Sequence, residues 1–145
     1  MDNTTQAQQS LNDFNRHNNI IHTPSNCFPL LYLNDGTNDY YNYGNKAIVA
    51  GEWTHIAFVF KNSDATKLIY INGENYTNTN GPNKTSIPYG IPDIITVGKN
   101  LAGYISDYRI YATALSKDDI KKLYKTAVSI DRNGNYYTNC YKEID

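Results

Sequence analysis

The sequence predicts an all-β fold, an antiparallel two-sheet β-sandwich that carries one short helix near its C-terminal end and a terminal β-hairpin. Three observations carry that expectation. The chain holds 14 tyrosines in 145 residues and many asparagines and threonines; tyrosine and threonine suit half-buried strands, and asparagine suits turns. Short apolar runs alternate with breaks built from Gly, Asn, Asp and Pro, at the spacing of a meander. One stretch, ALSKDDIKKLYK, concentrates every helix signal in the chain.

A length of 145 residues suits one domain with a single core. The net charge of −1 and pI near 6.3 argue against nucleic-acid binding and against a polybasic membrane patch. No window approaches the roughly 20 apolar residues that cross a bilayer. The opening MDNTTQAQQS lacks the apolar stretch of a signal peptide, so the residues given read as soluble, with no membrane insertion and no export signal. Cys27 and Cys140 lie near opposite ends and neither has metal-ligand spacing to another Cys or His. Two free thiols are expected; a bridge, which would imply an oxidising compartment, stays open.

Taken in order, residues 1–26 are polar and weakly patterned, an N-terminal segment that serves as an arm or a partner contact. Leu11, Phe14 and Ile20 fit one face of a short helix, interrupted by Asn18 and Asn19. The sandwich is expected over residues 27–125. CFPLLYL reads as a strand, NDGTND as a turn, and YYNYGNKAIV as one or two further strands before Gly51. EWTHIAFVFK, NSDAT and KLIYINGE read as a hairpin with a five-residue loop. Both of its strands are apolar on both faces, as central strands of a sandwich are. Asn75 to Pro92 reads as a long surface loop, DIITVGK as a strand, and AGYISDYRIYAT as another.

The helix has local causes. Ser116 caps its start with Asp119 at the third helical position, and Leu115 can staple against Ile120. Asp118 and Asp119 sit at the positive end of the dipole, with Lys121, Lys122 and Lys125 towards the negative end. Ile120, Leu123 and Tyr124 make one apolar stripe, and a helix this short must dock to persist. Residues 126–145 read as an appended hairpin, two short strands around Arg132, Asn133 and Gly134.

The series GEWTHIAFVF, KLIYINGE, TVGK and GYISDYRIYATALSKDDIKKLY resembles the C-terminal half of a concanavalin A-like, laminin-G-like jelly-roll domain. That family pairs a W-x-H-(I/V)-A strand with a (L/I)-Y-(I/V)-N-G strand, then follows a G-x-I-x-(D/E)-x-R-I-Y strand with A-L-S and a short helix ending in L-Y. The tail AVSIDRNGNYYTNCYKE resembles the ending of this domain in structural proteins of tailed phages. Complete domains of the family usually have more strands before the W-x-H motif than 52 residues readily supply. The resemblance therefore implies that the opening sheet edge is covered by the N-terminal segment, by another copy, or by another virion protein.

The function implied is a non-catalytic module of a phage virion protein, in a tail fibre, baseplate or capsid decoration. Its work would be host-surface glycan binding or particle assembly, and its partners other virion proteins, copies of itself, or host polysaccharide. The alternative is a secreted or surface carbohydrate-binding module of a bacterium, extracellular in location. Catalysis finds little support: no E-x-D-x-x-E strand supplies the carboxylate pair of a glycosidase, and no Ser, Cys or His stands in a nucleophile pattern. No cofactor is expected. Some relatives hold calcium at the sandwich rim, and Asn34, Asp35 and Asp39 offer suitable oxygens, although turn formation explains the same residues. Candidate ligand contacts are Tyr40, Tyr41, Tyr43 and Tyr89, on which a sugar ring can stack. Trp53 and His55 are expected in the packed wall, with their ring nitrogens bonded to acceptors.

Overall fold

A computed structural model describes residues 9–13, 17–22, 27–34, 39–61, 63–78, 96–98, 101, 103–126, 128–130 and 136–138. Within them the chain runs β1 (Gln9–Asp13), β2 (His17–His22), β3 (Phe28–Asn34), β4 (Asp39–Tyr43), β5 (Ile56–Lys61), β6 (Thr66–Ile71), β7 (Glu74–Asn75), β8 (Thr96–Val97), α1 (Lys117–Thr126), β9 (Val128–Ile130) and β10 (Tyr136–Thr138). The strands form a five-stranded sheet in the order β4-β3-β2-β1-β8, a three-stranded sheet β5-β6-β7, and the pair β10-β9. Neighbouring strands in every sheet are antiparallel.

The segment before residue 27 corrects one expectation: it forms strands, where the sequence left a short helix open. QSLND and HNNIIH have no alternating apolar pattern, so local propensity does not select them. Pairing does. β2 matches β3 residue for residue from His17↔Leu33 to His22↔Phe28, and β1 continues the sheet with a register shift between Ser10 and Asn12. The N-terminal segment is thus what covers the edge of β3.

Two apolar layers hold the body together. Between the sheets, Leu31 of β3 and Ile69 of β6 are buried against each other, with Phe58 and Phe60 packed around them. On the opposite face of the three-stranded sheet, Val59 and Tyr70 meet Ile120 of α1, and Ala57, Leu68 and Leu115 complete that cluster. The second sheet is covered on both sides, which is why its strands are apolar on both faces. Each fully buried aliphatic side chain, such as Ile69 and Ile120, stabilises the fold by about 1.5–3 kcal/mol. A polar tie adds to the seam: Asn42 of β4 donates through Nδ2 to the Lys67 carbonyl of β6 at 3.1 Å.

The helix starts where the capping signals place it. The Asp119 N–H donates to Ser116 Oγ at 3.2 Å, and the Ser116 N–H donates back to Asp119 Oδ2 at 3.3 Å. The bond from Ser116 Oγ to Asp119 Oδ2, 2.5 Å long, holds the Asp119 carboxyl below its usual pKa range. Leu115 joins the apolar cluster of Ile120, as the staple requires.

Two further expectations change. The β5–β6 loop is four residues long, because Thr66 already belongs to β6 and pairs with Lys61. AGYISDYRIYAT, read as a strand, forms none over its described residues 103–113. Asp107 breaks the extended path with φ of 54°, and Tyr104, Tyr108, Ile110 and Tyr111 stay exposed. The alternation was genuine, but that backbone kink prevents a continuous ladder.

Candidate functional site

Trp53 and His55 pose the first question of site against wall. Trp53 is 38% exposed, not packed inside as expected. His55 is part of the wall. Its N–H donates to Asn72 Oδ1 at 2.9 Å, and its carbonyl accepts from the Asn72 N–H at 2.8 Å. Asn72 and Gly73 have φ of 51° and 78°, the paired positive angles of a type I′ turn between β6 and β7. A Cβ on Gly73 would stand 3.1 Å from Tyr124 Cδ1, so the missing side chain lets α1 seat on the turn. The Tyr124 ring then covers His55 at 5.8 Å between centroids. Glu74, next along, takes Lys121 at 3.0 Å and Lys117 at 3.4 Å, which draws its carboxyl below the usual range.

His55 Nδ1 is buried and has no hydrogen-bond partner among the described residues, contrary to the expectation that it would. Burial pushes its pKa below 6.5; the Asp107 carboxylate opposes that shift and the Arg109 guanidinium adds to it. The arrangement locks a helix onto a sheet.

The surface that does face solvent lies where the two sheets meet at a corner. Gly44, just after β4, forms an isolated antiparallel bridge with Thr77, just after β7. The Asn45 N–H donates to the Tyr76 carbonyl and the Asn78 N–H to the Tyr43 carbonyl, both at 2.7 Å. This register puts Gly44 and Thr77 inward. A Cβ on Gly44 would stand 2.8 Å from Pro29 Cγ, and Thr77 Oγ1 accepts the Ile69 N–H at 2.8 Å. Their neighbours Tyr43, Asn45, Tyr76 and Asn78 therefore point outward together. Tyr41, two residues before Tyr43, lies on the same side, with the rings edge to face at 5.5 Å. Lys46 closes the strip, its Nζ 4.7 Å above the Tyr76 ring and 3.4 Å from Tyr76 Oη. Tyr43, Asn45, Lys46 and Asn78 are exposed; Tyr41 and Tyr76 are half-buried.

Of the four tyrosines the sequence singled out, the structure joins Tyr41 and Tyr43. Tyr40 lies in β4 opposite Leu33, but its side chain and the whole of Tyr89 lie outside the described residues. Tyr76, Asn45, Asn78 and Lys46 were missed. Tyr76 falls in an Asn- and Thr-rich stretch that reads as loop, and the Y-G-N-K run from Tyr43 was the one local hint that the strip continued. Asn34 and Asp39 face each other as the last pair of the β3–β4 hairpin; their side chains and Asp35 lie outside the described residues. Cys27 is a free thiol, and Cys140 lies outside the described residues.

Several described carboxylates serve structure. Asp64 takes Lys61 at 2.6 Å and the Thr66 N–H at 3.1 Å in the β5–β6 loop, and these bonds lower its pKa to about 2. Arg109 grips Asp107 through Nε at 2.6 Å and through a terminal nitrogen at 3.0 Å. Glu74 and Asp119 are engaged by the helix as described above.

Two antiparallel sheets with a capped helix on one of them, and a solvent-facing aromatic strip at their corner, define a lectin-like β-sandwich. The family model described as the concanavalin A-like lectin/glucanases superfamily, of laminin-G type, matches residues 1–121, and the chain belongs to that family. No curated protein matches the chain. Among solved structures it is similar to an S-layer domain-containing protein from Clostridium thermocellum, at 22% identity and a TM-score of 0.39, over 86% of this chain and 66% of that one. This chain therefore spans just under two thirds of that structure. No described helix is long and apolar enough to cross a membrane.

Proposed function

We propose that this chain is a non-catalytic adhesion module that works at a surface, as part of a phage particle, and that it binds saccharide through the strip Tyr41, Tyr43, Asn45, Tyr76 and Asn78. The carrying observation is the corner register, which turns two stretches of chain outward side by side as aromatic faces flanked by amides. A pyranose ring offers C–H groups to a tyrosine face and hydroxyls to asparagine, and this surface supplies both. Membership of a lectin-like family supports the reading. The phage context rests on the resemblance of the tail AVSIDRNGNYYTNCYKE. An assembly role would use the same display on copies of the chain or on other virion proteins. The same strip would serve equally on a bacterial surface, the second reading.

Binding of the purified chain to a polysaccharide array, with a Tyr41→Ala/Tyr43→Ala variant beside it, tests the ligand class. Retention by the wild type and loss in the variant are expected. Equal retention of both would remove the strip from the account. Immunolabelling of intact phage particles tests the location, and an unlabelled particle beside a labelled bacterial surface would decide for the second reading. Calorimetric titration with calcium tests the oxygens of Asn34, Asp35 and Asp39: turn formation alone predicts no uptake, and binding that Asp39→Asn weakens would assign them an ion.

A further inference from the structure

We infer that the Lys46 end of the strip recognises an acidic group, so that the ligand is an anionic saccharide carrying carboxylate or phosphate. This rests on the saccharide reading above and narrows it. The strip is aromatic along most of its length and changes character at Tyr76. There the ammonium of Lys46 stands 4.7 Å from the ring centroid. A ligand lying along Tyr41, Tyr43 and Tyr76 meets a cation at that point.

The contacts of Lys46 differ from those of the ion-paired cations. Lys61 is paired with Asp64, Arg109 with Asp107, and Lys117 and Lys121 with Glu74. Lys46 has Tyr76 as its partner, through the ring and through the hydroxyl at 3.4 Å. An ammonium has three N–H donors, and the hydroxyl uses one. The other two are available to an oxyanion, whose charge-assisted hydrogen bonds are stronger than those of a sugar hydroxyl. The neighbouring outward amides, Asn45 and Asn78, carry no charge and do not oppose an anion.

Two forms of one polymer test this: polygalacturonate and its fully methyl-esterified form, each cast in a native gel at low and moderate salt. The wild-type chain is expected to be retarded more strongly by the acid form, by about three- to fivefold in apparent affinity, with the advantage shrinking as salt rises. Lys46→Met should abolish the advantage of the acid form over the ester, while Lys46→Arg should keep it. Lys46 is exposed, so neither variant should change the unfolding midpoint. Equal retardation by the two polymers, or an advantage that survives in Lys46→Met, would overturn the inference and leave the saccharide reading standing. If the wild-type chain is retarded by neither polymer and by no glycan on the array, both fall.

Discussion

Two regions of this molecule are built from the same residue types and put them to opposite uses. Under α1, a tyrosine, an asparagine and a basic ring, Tyr124, Asn72 and His55, close on one another and are half-buried. At the sheet corner, Tyr43, Asn78 and Lys46 lie along an open face. Neither set is more polar than the other. The difference lies in the register: Asn72 sits in a positive-φ turn that aims its amide back at a strand, whereas Asn78 flanks an isolated bridge whose inward positions go to Gly44 and Thr77. Whether a tyrosine-rich surface is wall or site is set by which residue of a bridge takes the inside, and the side chain itself does not decide it.

If the two regions divide the work in this way, substitutions under the helix should cost stability and spare binding, and those at the corner the reverse. The largest effect is expected for Ile120→Ala. It removes the side chain that joins α1 to Val59 and Tyr70 and should lower the unfolding free energy by about 3 kcal/mol in a urea titration. Gly73→Ala comes next, at about 2 kcal/mol, since it adds a Cβ at positive φ and against Tyr124. Ser116→Ala should cost about 1 kcal/mol through the lost cap, seen as a lower thermal midpoint.

Acid gives a graded version of the same test. Burial disfavours the charged form of His55, so the unfolded chain takes up the proton more readily than the folded one. The stability contributed by neutral His55 is present above pH 6.5, its ordinary value, and is lost as pH falls from there through the lowered folded pKa. Unfolding of wild type and His55→Gln between pH 7.5 and 5, values chosen to bracket that titration by about one unit or more, should show a steeper decline for wild type. Parallel curves would mean that His55 is not proton-linked to the fold. The smallest stability effect belongs to the corner: Tyr43→Ala should change the unfolding free energy by no more than about 0.5 kcal/mol while it abolishes saccharide retention. A large loss of stability there would erase the contrast between the two regions.

What could be read from the sequence was what local chemistry decides. Ser116 with Asp119, the acidic first turn and the Lys-rich end mark where α1 runs, and its packing on Val59 and Tyr70 holds it there. The apolar runs IAFVFK and TKLIYI specify the β5–β6 hairpin in the same way, whereas KLIYINGE, read as a single strand, breaks at Asn72-Gly73 and returns as β7. What escaped was decided at a distance. β1 and β2 are strands because β3 offers them an edge, not because QSLND or HNNIIH prefers to be extended. Tyr76 joins the strip because Gly44 pairs with Thr77, 33 positions later in the numbering, a contact no window of sequence contains. YISDYRIY failed for the converse reason: its pattern suits a strand, and the backbone at Asp107 turns out of one.

The burial of Val59 and Tyr70 by Ile120 has a bearing on how the protein is made. A ribosome completes the β5–β6 hairpin well before it has released α1, and for that interval the greasy outer side of the hairpin has nothing to rest on. The nascent chain passes through a stage at which that side is sticky, and chaperone capture or mispairing with a neighbouring nascent copy is most dangerous then. Slow translation between the two elements would lengthen the hazard, and an earlier-arriving lid would shorten it.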